Sequence, residues 1–287
     1  MHLAFSSMNT LNDPHPATLA KALEERGFES LWYGEHSHIP CSRKTPYPPG
    51  GVMPDAYRSM MDPYLSLMTA ANATTRLRLG TGIALLMERD VFAQAKTIAS
   101  LDILSGGRVI IGTGVGWNQE AYENSNPHPF NKRYAVLRET VAASRALWTQ
   151  EQASYTGKYL QFDAVWSDPK PLQKGGPKIF LGAMGPLGRK HAAAWADGWY
   201  PVDVGIGDVE RALNTFREEV KQAGRNPDDV EINIQVMDTR NLDKLKEYRD
   251  LGVHRATIGV SMDLWDQPEA VMPMIDQYAS IIPELKS

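Results

Sequence analysis

Four short stretches of this chain carry the residues best equipped for chemistry. The first, Glu35-His36-Ser37-His38, directly follows the apolar run Ser30 to Tyr33. A histidine there can gain, lose or share a proton near neutral pH or hydrogen-bond a carbonyl; a solvated loop histidine is the plainer alternative. The second is Thr81-Gly82-Ile83, where glycine permits a bulge or a close backbone approach to a flat ring, although a simple strand end has the same composition. In the third, Gly112 to Asn118 (GTGVGWN), the alternating glycines Gly112, Gly114 and Gly116 leave room for a ring or phosphate, and Asn118 offers both a donor and an acceptor. The fourth, Gly182-Ala183-Met184-Gly185-Pro186, leads into a helix expected from near Leu187. Small residues there expose backbone N–H groups and the positive end of the helix dipole, which suits a phosphate. Arg189 and Lys190 in the first turn would oppose that dipole unless an anion binds nearby or solvent screens them.

Other chemistry has less behind it. Cys41 is the only cysteine, so no intrachain disulfide or multi-cysteine metal site can form, and a lone loop thiol lacks an identified base. Of the seven histidines only His36 and His38 pair; a His-x-His can ligate zinc, yet no matching ligands follow the later strands, which argues against a metal-dependent hydrolase. The glycine run lacks the third glycine and the downstream acid of the dinucleotide fingerprint. Methionines and tryptophans are core or wall residues by default, with Trp117 alone standing where a ligand could touch it.

The elements that must position these stretches alternate in period. Short β-branched or aromatic runs (His2 to Ser6, Ser30 to Tyr33, LRLGTGIAL to near Ile83, Val109 to Gly112, KIFLG, GWYPV, EINIQV, ATIGV) alternate with segments whose apolar residues recur at three and four. Helices are expected from about Pro16 to Arg26, after Asp62-Pro63, around Phe92 to Leu101, from Asn131 to Trp148, from Gly188 to Trp195, from Asp208 to Ala223, from Leu242 to Leu251 and after Pro268. Eight strands and eight helices favour a closed (β/α)₈ TIM barrel spanning 1–287 as one α/β domain over an open doubly wound sheet. Tyr155 to Pro171 breaks the rhythm as an insertion between strands four and five, with a small hairpin about Gly157. In such a barrel the ligand site lies at the C-terminal ends of the strands, where all four stretches fall.

A 43% hydrophobic, 22% charged composition suits a globular core, and a formal charge of -4 gives no basic footprint for nucleic acid. The N-terminus lacks a basic-then-apolar leader and no window approaches a membrane span, so a soluble, cytoplasmic protein is expected.

The segments FESLWYGEHSHIP, LRLGTGIAL, LDILSGGRVIIGTGVGWNQE, DPKPLQ and PKIFLGAMGPLGRKHAAAWADGWYPV, in that order, resemble signature blocks of the luciferase-like monooxygenase superfamily over about residues 1 to 205. The resemblance implies a barrel that binds the deazaflavin coenzyme F-420 or, second, FMN. It implies that His36, next to Glu35, lies near the reactive ring, and that a cis or bulged peptide within Thr81, Gly82 and Ile83 backs that ring. It also implies that Gly114 and Asn118 contact the ring or its side chain, and that Gly182, Ala183, Met184 and Gly185 take the phosphate. Sugar-phosphate dehydrogenases of the deazaflavin branch carry a Glu after the glycine matching Gly114, where this chain has Val115, which puts that substrate and that proton donor in doubt.

The expected activity is hydride transfer between F-420 and a small, apolar or aromatic organic substrate. An FMN monooxygenase fed by a partner reductase and a non-catalytic cofactor-binding protein are the alternatives. The resemblance also implies a homodimer packed through barrel helices.

Overall fold

The computed structural model describes residues 1–237, 241–265 and 267–286. Strands β1 (His2–Ser7), β2 (Ser30–Tyr33), β3 (Arg78–Ala84) and β4 (Val109–Thr113) form half of a closed parallel barrel. After the antiparallel hairpin β5 (Ala153–Thr156) and β6 (Gln161–Val165), strands β7 (Lys178–Leu181), β8 (Gly198–Trp199), β9 (Glu231–Gln235) and β10 (Arg255–Gly259) complete it in the order β1-β10-β9-β8-β7-β4-β3-β2. The (β/α)₈ architecture, the eight barrel strands and the hairpin in the insertion are thus as the sequence pattern required.

The helices around it are α1 (Pro16–Glu25), α2 (Pro63–Ala73), α3 (Val91–Leu104), α4 (Gln119–Ser125), α5 (Arg133–Thr149), α6 (Pro186–Trp195), α7 (Val209–Gln222), α8 (Asp243–Asp250), α9 (Val271–Ala279) and α10 (Ile282–Lys286). Local chemistry sets their ends. Asp62 caps α2 by accepting from the amides of Tyr64 and Leu65 at 2.9 and 3.1 Å, with Pro63 in the first turn. Gly27, at φ +83°, terminates α1 in the left-handed conformation that side chains disfavour.

Three expectations need correction. Ten α-helices stand among the described residues rather than eight: α4 was concealed in the glycine-rich stretch, and the last helix is two. Helix α6 starts at Pro186, not Gly188, because a proline fits the first turn, where an N–H is not needed. The strand over GWYPV shrinks to Gly198–Trp199 with an isolated bridge from Val202 to Gln235, since Pro201 has no N–H to give the ladder.

Inside the barrel, Trp32, Ala4, Ile110, Phe180 and Tyr200 form a buried cluster. Trp32 is fully buried and its indole N–H donates to Ser30 Oγ at 2.7 Å. A tryptophan at that depth removes about 200 Å² from water, a gross gain of about 5 kcal/mol. Its neighbours make the space: a Cβ on Gly80 would lie 2.3 Å from the indole, and one on Gly112 would lie 2.2 Å from the Thr81 carbonyl oxygen. Below it, at the N-terminal end of the strands, Arg255 spreads its guanidinium 5.7 Å from the Trp32 ring centre and 5.8 Å from that of Phe180. Glu29 takes that guanidinium in two bonds of 2.7 Å each, closing the bottom.

Candidate active site at the barrel mouth

Side chains alternate along a strand, so the position two beyond each inward-facing residue faces inward as well. Following Trp32, Gly80, Gly112 and Phe180, that position is Gly34, Gly82, Gly114 and Gly182; following Thr257 it is Gly259. The first four are contiguous. A Cβ built on Gly34 would lie 3.3 Å from the Gly82 carbonyl oxygen, and one on Gly114 would lie 3.5 Å from that of Gly182. A TIM barrel usually fills its layers with branched side chains. Here these four strands carry glycine at that position, and neighbouring side chains pack into the room this leaves: Met60 Cε lies 3.0 Å from where a Gly34 Cβ would be, so the mouth is a bowl with a shallow, glycine-lined floor.

One side chain crosses the bowl. The Gly82–Ile83 peptide is cis, and the register between β3 and β4 slips between Thr81 and Ala84, so the irregularity expected within Thr81 to Ile83 is present. Ile83 leans over Gly114 and Gly182, its Cδ1 lying 2.1 Å and its Cγ2 3.0 Å from where their respective Cβ atoms would be. Thr81 turns away from the bowl and donates its hydroxyl to the Gly112 carbonyl at 2.7 Å.

His36 stands at the rim with Tyr57 and Trp117, ring centres 5.4 and 6.1 Å away, and Tyr47 and Trp265 extend the aromatic cluster. Burial, then the charge of His38, lowers the His36 pKa to about 4. At pH 7 it is a neutral imidazole with one N–H and one lone pair. His38 diverges from it toward Ser37 Oγ and Asn124 Nδ2, at 2.9 and 3.1 Å, so the two histidines do not act as a pair of ligands.

Several residues singled out in the sequence have other work. Glu35 is buried; its Oε2 accepts from the Leu85 amide at 2.8 Å and its Oε1 from Arg89 Nε at 2.6 Å, while Arg89 also holds Asp62. That carboxylate ties the β2 loop to the β3 loop, so its assignment as a cofactor contact is withdrawn. Asn118 is the N-cap of α4, its Oδ1 accepting from the Ala121 amide at 2.9 Å, which commits that oxygen to the helix and leaves Nδ2 as the donor end. Arg189 pairs with Glu219 at 2.8 Å and so needs no bound anion to explain it. Gly182 to Gly185 do lead to the N-terminus of α6, where Gly185 supplies no side-chain cap and the first amides point outward; Met184 and Gly185 are exposed and Ala183 is buried.

Other residues emerge only in the fold. Glu88 lies against Gly116, its Oε1 3.5 Å from where a Cβ would be, and its carboxyl group makes no hydrogen bond or ion pair among the described residues. Burial, then the nearby Glu35 charge, raises its carboxyl pKa to about 7. Glu120 fastens the long β2 loop across the mouth by accepting from Thr45, from Ser42 Oγ at 2.8 Å and from the Lys44 amide at 3.0 Å. The Thr45 hydroxyl first, then the residue's own amide, Ser42 and the Thr45 amide, hold the Glu120 pKa at about 2. An exposed groove along Asp208, Arg211 and Glu218 shares no residue with the mouth; one helix supplies its whole lining, which marks a solvated helix face. No helix among the described residues is long and apolar enough to cross a membrane.

A family model described as luciferase-like monooxygenase matches residues 14–238. An uncharacterized protein of Mycobacterium tuberculosis strain H37Rv is 37% identical over 253 residues, 85% of this chain and 86% of that protein. The F420-dependent glucose-6-phosphate dehydrogenase of Mycolicibacterium gilvum is 33% identical, the match covering 76% of this chain and 62% of that enzyme. Among solved structures, an F420-dependent secondary alcohol dehydrogenase superposes with a TM-score of 0.76 at 18% identity, covering 100% of this chain and 99% of the other, a likeness of fold alone. A luciferase-like barrel, a glycine-lined mouth and a family match over most of the chain agree: this chain belongs to the luciferase-like monooxygenase family.

Proposed function

We propose that this protein is an oxidoreductase that holds coenzyme F-420 in the glycine-floored bowl and exchanges a hydride with a small uncharged organic substrate. The observation that carries the reading is the bowl itself. Gly34, Gly82, Gly114 and Gly182 raise no side chain of their own, so the floor stays low where Ile83 and Met60 pack against it, and a planar tricyclic ring can lie on it. Ile83 supplies the apolar contact beneath such a ring, and the uncapped first turn of α6 suits a phosphate. F-420 is preferred to FMN because relatives 31% and 33% identical to this chain are named as F420-dependent dehydrogenases.

The bound deazaflavin would supply the hydride acceptor and donor. The chain's own residues would orient and deprotonate. His36, neutral at pH 7, offers its N–H or lone pair to a ring carbonyl or to the substrate oxygen. Glu88, titrating near neutral pH beside Gly116, stands ready to exchange a proton through water at the rim, where Val115 leaves no acid. The aromatic cluster excludes bulk water.

Fluorescence titration with F-420 and with FMN tests this: F-420 binding at micromolar concentration is expected, and failure of both to bind overturns the reading. The likeness of fold to a Streptomyces bottropensis monooxygenase, with a TM-score of 0.73, supports a second reading, FMN-dependent oxygen chemistry with a partner reductase; oxygen uptake with reduced FMN would favour it.

A further inference from the structure

The mouth has two unlike sides. On β2, β3, β4 and β7 the last inward positions are glycines, whereas on β1 and β9 they are Ser6 and Gln235, flanking Gly259 of β10. Between them lies a cavity of about 60 Å³, floored by Gly259, walled by Met8, Met237 and Trp265, and polar only at Ser6, Gln235 and Ser261. At roughly 10–15 Å³ per water-sized group, it accepts about four to six heavy atoms. Among the described residues its lining has no titratable side chain, so a charged group entering it would lose hydration with no counter-charge from them to compensate.

Gln235 is the oriented member. The Tyr200 hydroxyl donates to Gln235 Oε1 at 2.9 Å, which leaves the Nε2 hydrogens as the free end; Gln235 makes no other side-chain hydrogen bond among the described residues. Tyr200 is itself fixed edge-on against Trp32, 5.1 Å between ring centres.

We propose that this cavity is a substrate-anchoring subsite in which the Gln235 carboxamide, aimed by Tyr200, donates a hydrogen bond to the oxygen of an uncharged carbonyl or hydroxyl compound with a small apolar skeleton. The proposal deepens the reading above by naming the substrate class of the same mouth, and it rests on that reading for the chemistry that follows binding. A compound anchored over Gly259 lies beside the glycine floor rather than on it, which keeps the two ligands apart.

Isobutyramide is the probe, being uncharged, compact and inert to hydride transfer. Saturation-transfer NMR on the full chain, with and without F-420, should show saturable binding near millimolar concentration, and Gln235→Leu and Gln235→Glu should each weaken it about tenfold. Tyr200→Phe should weaken it about threefold, and isobutyrate, the charged analogue, should bind about tenfold more weakly than isobutyramide. F-420 affinity in Gln235→Leu should stay within about twofold of wild type, so a wild type that binds isobutyramide but not F-420 would sink the cofactor reading alone. No binding of isobutyramide to wild type, equal binding to wild type and Gln235→Leu, or a preference for isobutyrate overturns the subsite. Thermal melts accompany each variant; if Tyr200→Phe does not fold, the two Gln235 variants decide the question.

Discussion

The two ends of this barrel solve opposite problems with the same strands. At the bottom, Arg255 is 2% exposed and clamped by Glu29, under a fully buried Trp32. At the mouth the last inward positions of β2, β3, β4, β7 and β10 are glycines, and two titratable groups, His36 and Glu88, are partly buried without a charged partner among the described residues. Burial opposes ionisation at both ends. At the bottom, hydrogen bonds and charge from Arg255 overcome it and hold the Glu29 carboxyl below its usual range; at the mouth nothing does, so Glu88 rises and His36 falls. The bottom pairs its buried charges, and the mouth leaves its buried titratable groups unpaired.

That contrast can be broken most forcefully from below. Arg255→Met strips Glu29 of both its 2.7 Å bonds, leaves it the more distant Arg78, at 3.7 Å, and should cost about 3 kcal/mol of unfolding free energy in urea melts; a loss under about 1 kcal/mol would show that the bottom clamp is ornamental. Gly112→Ala comes next, at about 3 kcal/mol, because the added carbon meets the Thr81 carbonyl, backbone that cannot swing aside. Gly114→Ala sharpens the comparison: its new carbon meets only the flexible end of Ile83, so stability should fall by about 1 kcal/mol or less while F-420 affinity falls about tenfold. Equal effects of the two alanines on both readouts would erase the distinction between core and bowl.

Glu88 tests the mouth by pH. Its folded pKa of about 7 lies above the ordinary 4.5, so the folded chain holds that proton more tightly; the stability this contributes is fully present below pH 4.5 and is lost as pH rises through 7. Glu88→Gln should therefore stabilise the protein by about 1–2 kcal/mol at pH 8, after allowance for solvent screening, with the gain vanishing below pH 4.5. For His36 the sense is reversed: its folded pKa of about 4 lies below 6.5, so its contribution is present above pH 6.5 and is lost as pH falls toward 4. NMR titration of the His36 ring should give a midpoint near 4, and a midpoint near 6.5 would place the ring in solvent.

Much of the architecture was legible in the chain alone. Alternating periods of two and about 3.6 are local consequences of strand and helix geometry, so the eight βα units could be counted, and Asp62-Pro63 and Gly27 marked their boundaries. The irregular peptide in Thr81 to Ile83 and the glycines Gly82, Gly114 and Gly182 came from motif resemblance together with their place at strand ends, whereas Gly34 and Gly259 joined the mouth only in the fold. What the pattern did not carry was which side chains already have partners. Glu35 and Asn118 have the right type and position for a ligand, yet Arg89 and the Ala121 amide, neither evident as partners in the one-dimensional pattern, claim them.

The converse holds for the residues that went unnoticed. Gln235 sits in an unremarkable strand and Glu88 in an ordinary turn, and neither belongs to a motif. Tyr200 lies 35 residues before the glutamine it orients, and Gly116 lies 28 residues after the glutamate it faces. Periodicity and capping act over a few residues and are written in sequence, so they determined the barrel and the end at which its site must lie. Desolvation and hydrogen-bond pairing depend on which strands close upon one another, so only the tertiary structure decided which side chains are occupied, which are free, and that the floor of the mouth is lined by glycine.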